Sequence, residues 1–201
     1  MSETQMHPPA LRSRRRFLGE AGKATLSATA VALIVGCESL ASSSGRQMAA
    51  NPSQDVGILN VALGLEHEAI GAYQIGANSG LLSPEVAGVA TLFQSQHKAH
   101  RDALAGAVRK LGGSPVEAKS LSQYAKDLMA DRIKGQKDIL ELAARLELGA
   151  TNAYLGVIPS FSDPDLAQVS GRLAADETMH WTVLAQALGR SVPRQALSFG
   201  A

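Results

Sequence analysis

The feature that most constrains this chain is an internal repeat. Leu65-Glu66 with Tyr73 recurs about 80 residues later as Leu146-Glu147 with Tyr154, Ser83-Pro84-Glu85 recurs as Asp163-Pro164-Asp165, and His97-Lys98-Ala99-His100 recurs as Glu177-Thr178-Met179-His180. The two copies even end alike, in Leu111-Gly112-Gly113-Ser114-Pro115 and Leu188-Gly189-Arg190-Ser191-Val192-Pro193. The polar residues that the copies share are of the types that ligate metals. Two helical pairs, each with one inward carboxylate and one ligand-x-x-His element, suit a bundle that holds two metal ions between its helices.

The apolar residues after position 52 recur at helical spacing, and no stretch alternates as a half-buried strand would. An all-α domain is therefore expected over residues 53–190. The first helix is predicted to run from near Ser53 to about Ala77, with Ile58, Val61, Leu65, Ala69, Ala72 and Ile75 on its apolar face, and to end at Asn78-Ser79-Gly80. Ser83-Pro84-Glu85 is a start signal, since the hydroxyl accepts from free amides, proline suits the first turn and the acid meets the positive end of the helix dipole. The second helix then reaches about Leu111. Residues 115–135 hold a shorter helical pattern (Leu121, Tyr124, Leu128, Met129) and are expected to cross from one pair to the other. A third helix is predicted over 136–158, stopped by Pro159, and a fourth from Asp163-Pro164-Asp165 to about Leu188. Short links inside each pair and a long one between them describe a four-helix bundle of two hairpins joined by a crossover, followed by a tail over 191–201.

At 100° per residue, Glu66 and Tyr73 share a helix face, as do Glu147 and Tyr154, His97 and His100, and Glu177 and His180. Ala62, Ala69 and Ile70 surround Glu66, and Ala143, Leu146 and Ala150 surround Glu147, so both carboxylates are predicted to point inward. Several buried carboxylates must take up protons or hold a cation. Glu66, Glu147 and Glu177 supply three negative charges, while neutral His97, His100 and His180 supply none. Two divalent ions overcompensate by one, and a single hydroxide would close the balance. Carboxylate and imidazole donors suit iron or manganese and also accept zinc; there is no thiolate to select a softer metal. His67, about 100° round the helix from Glu66, is assigned with Glu68 to solvent or an interface. Tyr73 and Tyr154 read as core aromatics whose hydroxyls need a partner, with hydrogen bonding to a ligand, or one-electron oxidation near iron, as the functional alternative. Trp181 reads as packing.

With 201 residues and 45% hydrophobic composition the chain can bury one core domain after a targeting segment. The formal net charge of +1 conceals an asymmetry: residues 1–36 carry five basic side chains against two acidic, and the remainder 14 against 16. A slightly acidic body lacks the clustered cations that a polyanion requires, which excludes nucleic acid as a partner. The N-terminus combines a basic region with a short apolar run, residues 24–36, as an export signal does. Ser13-Arg14-Arg15-Arg16-Phe17-Leu18 resembles the twin-arginine signal, and Ile34-Val35-Gly36-Cys37 resembles a lipobox. Residues 1–37 are accordingly expected to direct export to the periplasm or envelope, with a lipid on Cys37 as membrane anchor; cleavage after Ala28-Thr29-Ala30 is the alternative. Cys37 is the single cysteine, so no intramolecular disulfide can form. Residues 38–52, rich in Ser, Ala and Gly, read as a flexible tether. No Ser/His/Asp set, phosphate-binding glycine loop or paired-cysteine motif is present to start a hydrolase, nucleotide or zinc-ribbon reading.

The residues quoted resemble the ferritin-like superfamily, whose pattern is a Glu on the first helix, Glu-x-x-His on the second, Glu on the third and Glu-x-x-His on the fourth. Leu63-Gly64-Leu65-Glu66 with Ala72-Tyr73, and His100-Arg101-Asp102-Ala103-Leu104 running to Pro115, resemble the exported bacterial members. The resemblance spans about 53–188 and carries the ligand role to Glu66, His100, Glu147, Glu177 and His180. His97 stands where the pattern has a bridging or chelating Glu; an imidazole can bind a metal but cannot bridge two through a carboxylate, so the substitution implies an asymmetric pair of ions, a single ion, or a centre that has lost redox chemistry. The resemblance implies dioxygen or peroxide activation at two irons in many members, ferroxidase- or peroxidase-like, and iron handling alone in others. The competing expectation is a metal-free envelope scaffold or stress-associated interaction protein. A second copy in a homodimer is compatible with either; iron storage in a shell fits poorly with a lipid tether and a short tail.

Overall fold

The computed structural model describes residues 51–200. The export signal, Cys37 and nearly all of the expected tether lie outside the described residues. Five helices and no strand occur among the described residues: α1 (Pro52–Asn78), α2 (Pro84–Lys110), α3 (Leu121–Asp127), α4 (Gln136–Val157) and α5 (Pro164–Ala187), with single 3-10 turns at Ala130–Arg132 and Ile158–Ser160. The fold is an all-helical bundle, in which α1 packs along α2, α4 packs along α5, and α1 meets α4.

Local chemistry sets the helix ends. The Ser83 side chain accepts from the Val86 amide and the Asp163 side chain from the Asp165 amide, each just before a proline in the first turn. The same device starts α1 one residue earlier than its apolar pattern suggests, since Asn51 caps and Pro52 opens the helix. At the far ends Gly112 and Gly189 take φ of +79° and +70°. Their successors' amides turn back to the Val108 and Ala185 carbonyls, closing α2 and α5 alike. The repeated Leu-Gly is thus a repeated helix stop.

Two apolar layers fill the bundle. One contains Leu59, Leu63, Leu104, Val108, Tyr154 and Leu173; the other contains Tyr73, Phe93, Leu140, Ala143, Ala144 and Leu184. In every long helix the two layers are separated by the repeated polar residues, and α1 and α4 run antiparallel, because the start of each shares a layer with the tyrosine near the end of the other. The expected face of α1 needs correction. Val61 is 69% exposed, and the buried stripe is Leu59, Ala62, Leu63, Glu66, Ala69, Ala72 and Tyr73. This helix is apolar round most of its circumference, so periodicity does not select a face; the requirement to bring Glu66 inward does.

Cross-ties lock the hairpins. Asp55, near the start of α1, is 1% exposed and accepts from the amide and hydroxyl of Ser162 in the α4–α5 turn, at 2.9 and 2.7 Å. Gln136, at the start of α4, accepts from the Ser83 amide in the α1–α2 turn at 2.7 Å. The crossover helix α3 lies against α1 through Tyr124, at a point where a Cβ on Gly71 would come within 2.7 Å of that ring. No described helix is long and apolar enough to cross a membrane.

Candidate metal centre

Glu66 of α1, His97 and His100 of α2, Glu147 of α4, and Glu177 and His180 of α5 meet between the two apolar layers. All six are buried, Glu177 and His180 completely. They form two overlapping groups, Glu66/His97/His100/Glu177 and His97/Glu147/Glu177/His180, within each of which one donor atom per residue lies within 4.8 Å of the others. Glu177 and His97 belong to both groups. These are the positions at which the repeated ligand-x-x-His elements begin, so the two shared residues descend from equivalent places in the two halves.

The histidines are held from behind. His100 presents Nδ1 to Glu177, at 3.1 Å, while its Nε2 meets Asp176 Oδ2 at 3.2 Å. His180 presents Nδ1 to Glu177, again at 3.1 Å, while its Nε2 lies 2.7 Å from Gln96 Oε1. Each outer acceptor requires an N–H on Nε2 and so leaves the Nδ1 lone pair of a neutral ring directed at the carboxylates, the tautomer a metal requires. His97 differs: Nδ1 lies 2.8 Å from Glu66 and Nε2 3.1 Å from Glu147, so both nitrogens are engaged inside the cluster.

The tyrosines are exchanged between the copies. Tyr73 of α1 donates to Glu147 of α4, and Tyr154 of α4 donates to Glu66 of α1. Burial first, then the adjacent carboxylates, pushes both phenols above their ordinary pKa, which keeps them donors. Glu147 Oε2 has no hydrogen-bond partner, although it is buried; the nearest cationic candidate, His180 Nδ1, is 3.5 Å away. A buried carboxylate oxygen without a donor is costly.

Burial opposes charge on every imidazole, yet hydrogen bonds to the carboxylates outweigh it. His97 is raised to about 10 by Glu147 and Glu66, and His100 to about 10 by Glu177 and Glu66. His180 moves upward through Glu147 and Glu177. Against the upward pull of burial, Glu66 is lowered by His100 and His97, and Glu147 by His180 and His97. Glu177 moves upward, because burial, reinforced by its contact with Glu147, outweighs the two histidines that face it. In the absence of a bound cation, protons balance the carboxylates. The donor set, the inward Nδ1 atoms and the orphaned Glu147 oxygen together fit a metal.

All six residues singled out by the sequence therefore converge. His67 does not join them; its Nε2 lies 3.1 Å from the Val116 carbonyl on the crossover side. Trp181 packs edge-on against Phe199 of the tail, with ring centroids 5.3 Å apart. Asp176 escaped the sequence reading, although its place directly before Glu177 was a signal. Gln96 carries no charge to mark it in the sequence, and its role depends on how α2 meets α5.

No curated protein matches this sequence. The crystal structure of the conserved hypothetical protein rv2844 from Mycobacterium tuberculosis is 23% identical, with a TM-score of 0.60 over 72% of this chain and 97% of that one; at that identity the likeness is one of fold. The sequence pattern of the Ferritin-like domain matches residues 54–190. With that span and the all-helical bundle in agreement, the chain belongs to the ferritin-like domain family.

Proposed function

We propose that this is an exported metal-binding protein holding one or two iron-class ions, with manganese or zinc as alternatives, between its long helices. Glu66, His100 and Glu177 would hold one ion, Glu147, His180 and Glu177 the other, with His97 facing both. The observation that carries this reading is the convergence of six buried donors from four helices into two groups that share two members. A bound iron-class ion would supply Lewis acidity and electron exchange with dioxygen or peroxide, so metal oxidation or peroxide consumption is the reaction class the centre suits. The protein's part is to orient and to exclude water. Asp176 and Gln96 fix the imidazoles, Tyr73 and Tyr154 fix the carboxylates, and the apolar layers close the cluster on both sides.

Elemental analysis of the protein purified from its export route tests the reading. Near-stoichiometric iron or manganese is expected, lost in Glu147→Ala and in His180→Ala. Metal-free wild type that also takes up no added Fe²⁺, Mn²⁺ or Zn²⁺ sinks it.

One observation favours a second reading. His97, bonded through both nitrogens to carboxylates from different halves, can itself act as the internal cation when protonated, and three imidazoles match three carboxylates in number. The bundle would then be a metal-free envelope scaffold, destabilised by His97→Gln and unaffected by a chelator.

Residues 13–18 and Cys37 support export by the twin-arginine route and anchoring by lipid, which would hold the bundle at the membrane surface of the periplasm or envelope. Under this reading Cys37→Ala moves the protein from the membrane to the soluble fraction; unchanged fractionation counts against the anchor.

A further inference from the structure

The repeat makes the two ends of the bundle comparable, and one end is hollow. Above Tyr154 the space between the helices is closed by side chains that include Val157 and Phe161, and the remaining void is about 10 Å³. Above Tyr73, the residues at the same offset are Gly76 and Gly80, and a cavity of about 170 Å³ remains. The cavity is therefore the counterpart of a filled region; Gly76 lines it without a side chain, whereas Gly80 is exposed and does not border it.

Its chemistry is uniform. The walls come mainly from α1, α2, α4 and α5 and are alkyl and aromatic, with Val86, Ala90 and Ala143 among them; Glu85, the one carboxylate in the lining, is exposed. Tyr73 lines the cavity with its ring, but its hydroxyl is turned away to Glu147. Without polar partners such a space does not hold ordered water, and a dry apolar cavity of roughly 150 Å³ accepts a molecule the size of benzene. Val89 and Val183, 37% and 39% exposed, border it on the solvent side.

Its position is as informative as its size. Tyr73 bonds to Glu147, and the Phe93 ring stacks on His180 with centroids 4.1 Å apart and planes 27° apart. These two rings are one wall of the cavity and also touch the candidate ligands. We propose that the cavity is a binding site for a neutral, apolar, single-ring molecule, held one side-chain layer from the carboxylate–histidine cluster. The proposal stands on shape and lining and does not depend on which metal, if any, occupies the cluster.

Toluene is a suitable probe, titrated into the full chain freed of metal by chelation and followed by calorimetry and by NMR. Saturable single-site binding is expected, with intermolecular NOEs from toluene to the Tyr73 and Phe93 rings. Ala90→Phe and Val86→Phe, which fill the cavity and touch none of the six candidate ligands, should abolish saturation, whereas Leu92→Ala on the exposed side of α2 should leave it unchanged. The proposal is overturned if wild type shows no saturable binding, if the NOEs fall elsewhere, or if both filling variants bind as wild type does. The same holds if sedimentation shows a dimer that buries this face and shuts toluene out. The NOE measurement needs no variant and decides the matter even where a substitution impairs folding.

Discussion

His180 shows how a single side chain is prepared before any ion arrives. Gln96 Oε1 accepts a hydrogen bond from Nε2–H, so Nδ1 is the nitrogen that faces the cluster and the one that loses its proton to a metal; removing that acceptor leaves the tautomer free. Gln96→Leu is accordingly expected to weaken metal binding about 10- to 100-fold, the usual cost of losing an outer partner, as read by competition with a chelator; unchanged affinity would show that Gln96 does not set the tautomer. The same histidines govern the response to pH. Without metal, His97 and His100 are raised from near 6.5 to about 10, so the stability they contribute is fully present below pH 6.5 and is lost as pH rises through 10. Glu66 and Glu147 are shifted downward, so their contribution is present above about 4.5 and lost as pH falls through their lowered values. The metal-free protein should therefore be most stable near pH 5–6.5 and should weaken toward pH 10 in urea titrations. Metal binding must displace the imidazole protons, so affinity should rise over the same range, with protons released into a weakly buffered solution. A pH-independent affinity between 6 and 9 would contradict this account.

Between elements, the repeat is expressed as reciprocity. The start of α1 is tied to the α4–α5 turn by Asp55, and the start of α4 to the α1–α2 turn by Gln136. Each tie sets the axial position of one hairpin against the other, and with it the level at which Glu66 meets Glu147. Asp55 forms two hydrogen bonds in a buried place, and such bonds to a charged acceptor are worth about 1.5–3 kcal/mol together with the donors they satisfy. Asp55→Ala should cost about 2 kcal/mol in a urea denaturation, and should also reduce metal uptake through the shifted register. A loss below about 0.5 kcal/mol would mean that solvent replaces the tie. The exchange of tyrosines follows from the same antiparallel pairing. A donor on α1 can serve only the carboxylate on α4 that lies at its own level, so each copy completes the other's site and neither hairpin is sufficient.

At the scale of the whole molecule, the bundle consists of two dry layers with a charged layer between them, and its weakest point is the middle unless a cation is bound. Any ion that binds the folded state alone stabilises it by mass action, about 2.7 kcal/mol at a concentration 100 times Kd. For a domain of this size that corresponds to a rise in Tm on the order of 5–10 °C. Calorimetry with Fe²⁺ under anaerobic conditions, or with Mn²⁺, should show the rise, and a chelator should reverse it; no shift in wild type would favour the scaffold reading. The two dry layers are not equal. One is filled by Val157 and Phe161, and the other keeps its cavity, so the pseudo-symmetry of the ligands is not matched by the packing around them.

Local rules made much of this readable from the residues alone. Helix starts at Ser83-Pro84 and Asp163-Pro164, stops at Gly112 and Gly189, and the three- and seven-residue spacings that align Glu, His and Tyr all follow from the 3.6-residue period and from the hydrogen-bonding needs of helix ends. The repeat then implied that the two ligand sets belong together. What the chain order could not supply was the pairing between distant faces. The buried side of α1 was ambiguous because that helix is apolar nearly all round; the partners of Tyr73, Tyr154, Gln96 and Asp176 lie 74 or more residues away. The cavity above Tyr73 arises only where four helices converge. Spacing along one helix is a local property, whereas contact between helices depends on their register and hand, and those are set by packing and by ties such as Asp55 to Ser162.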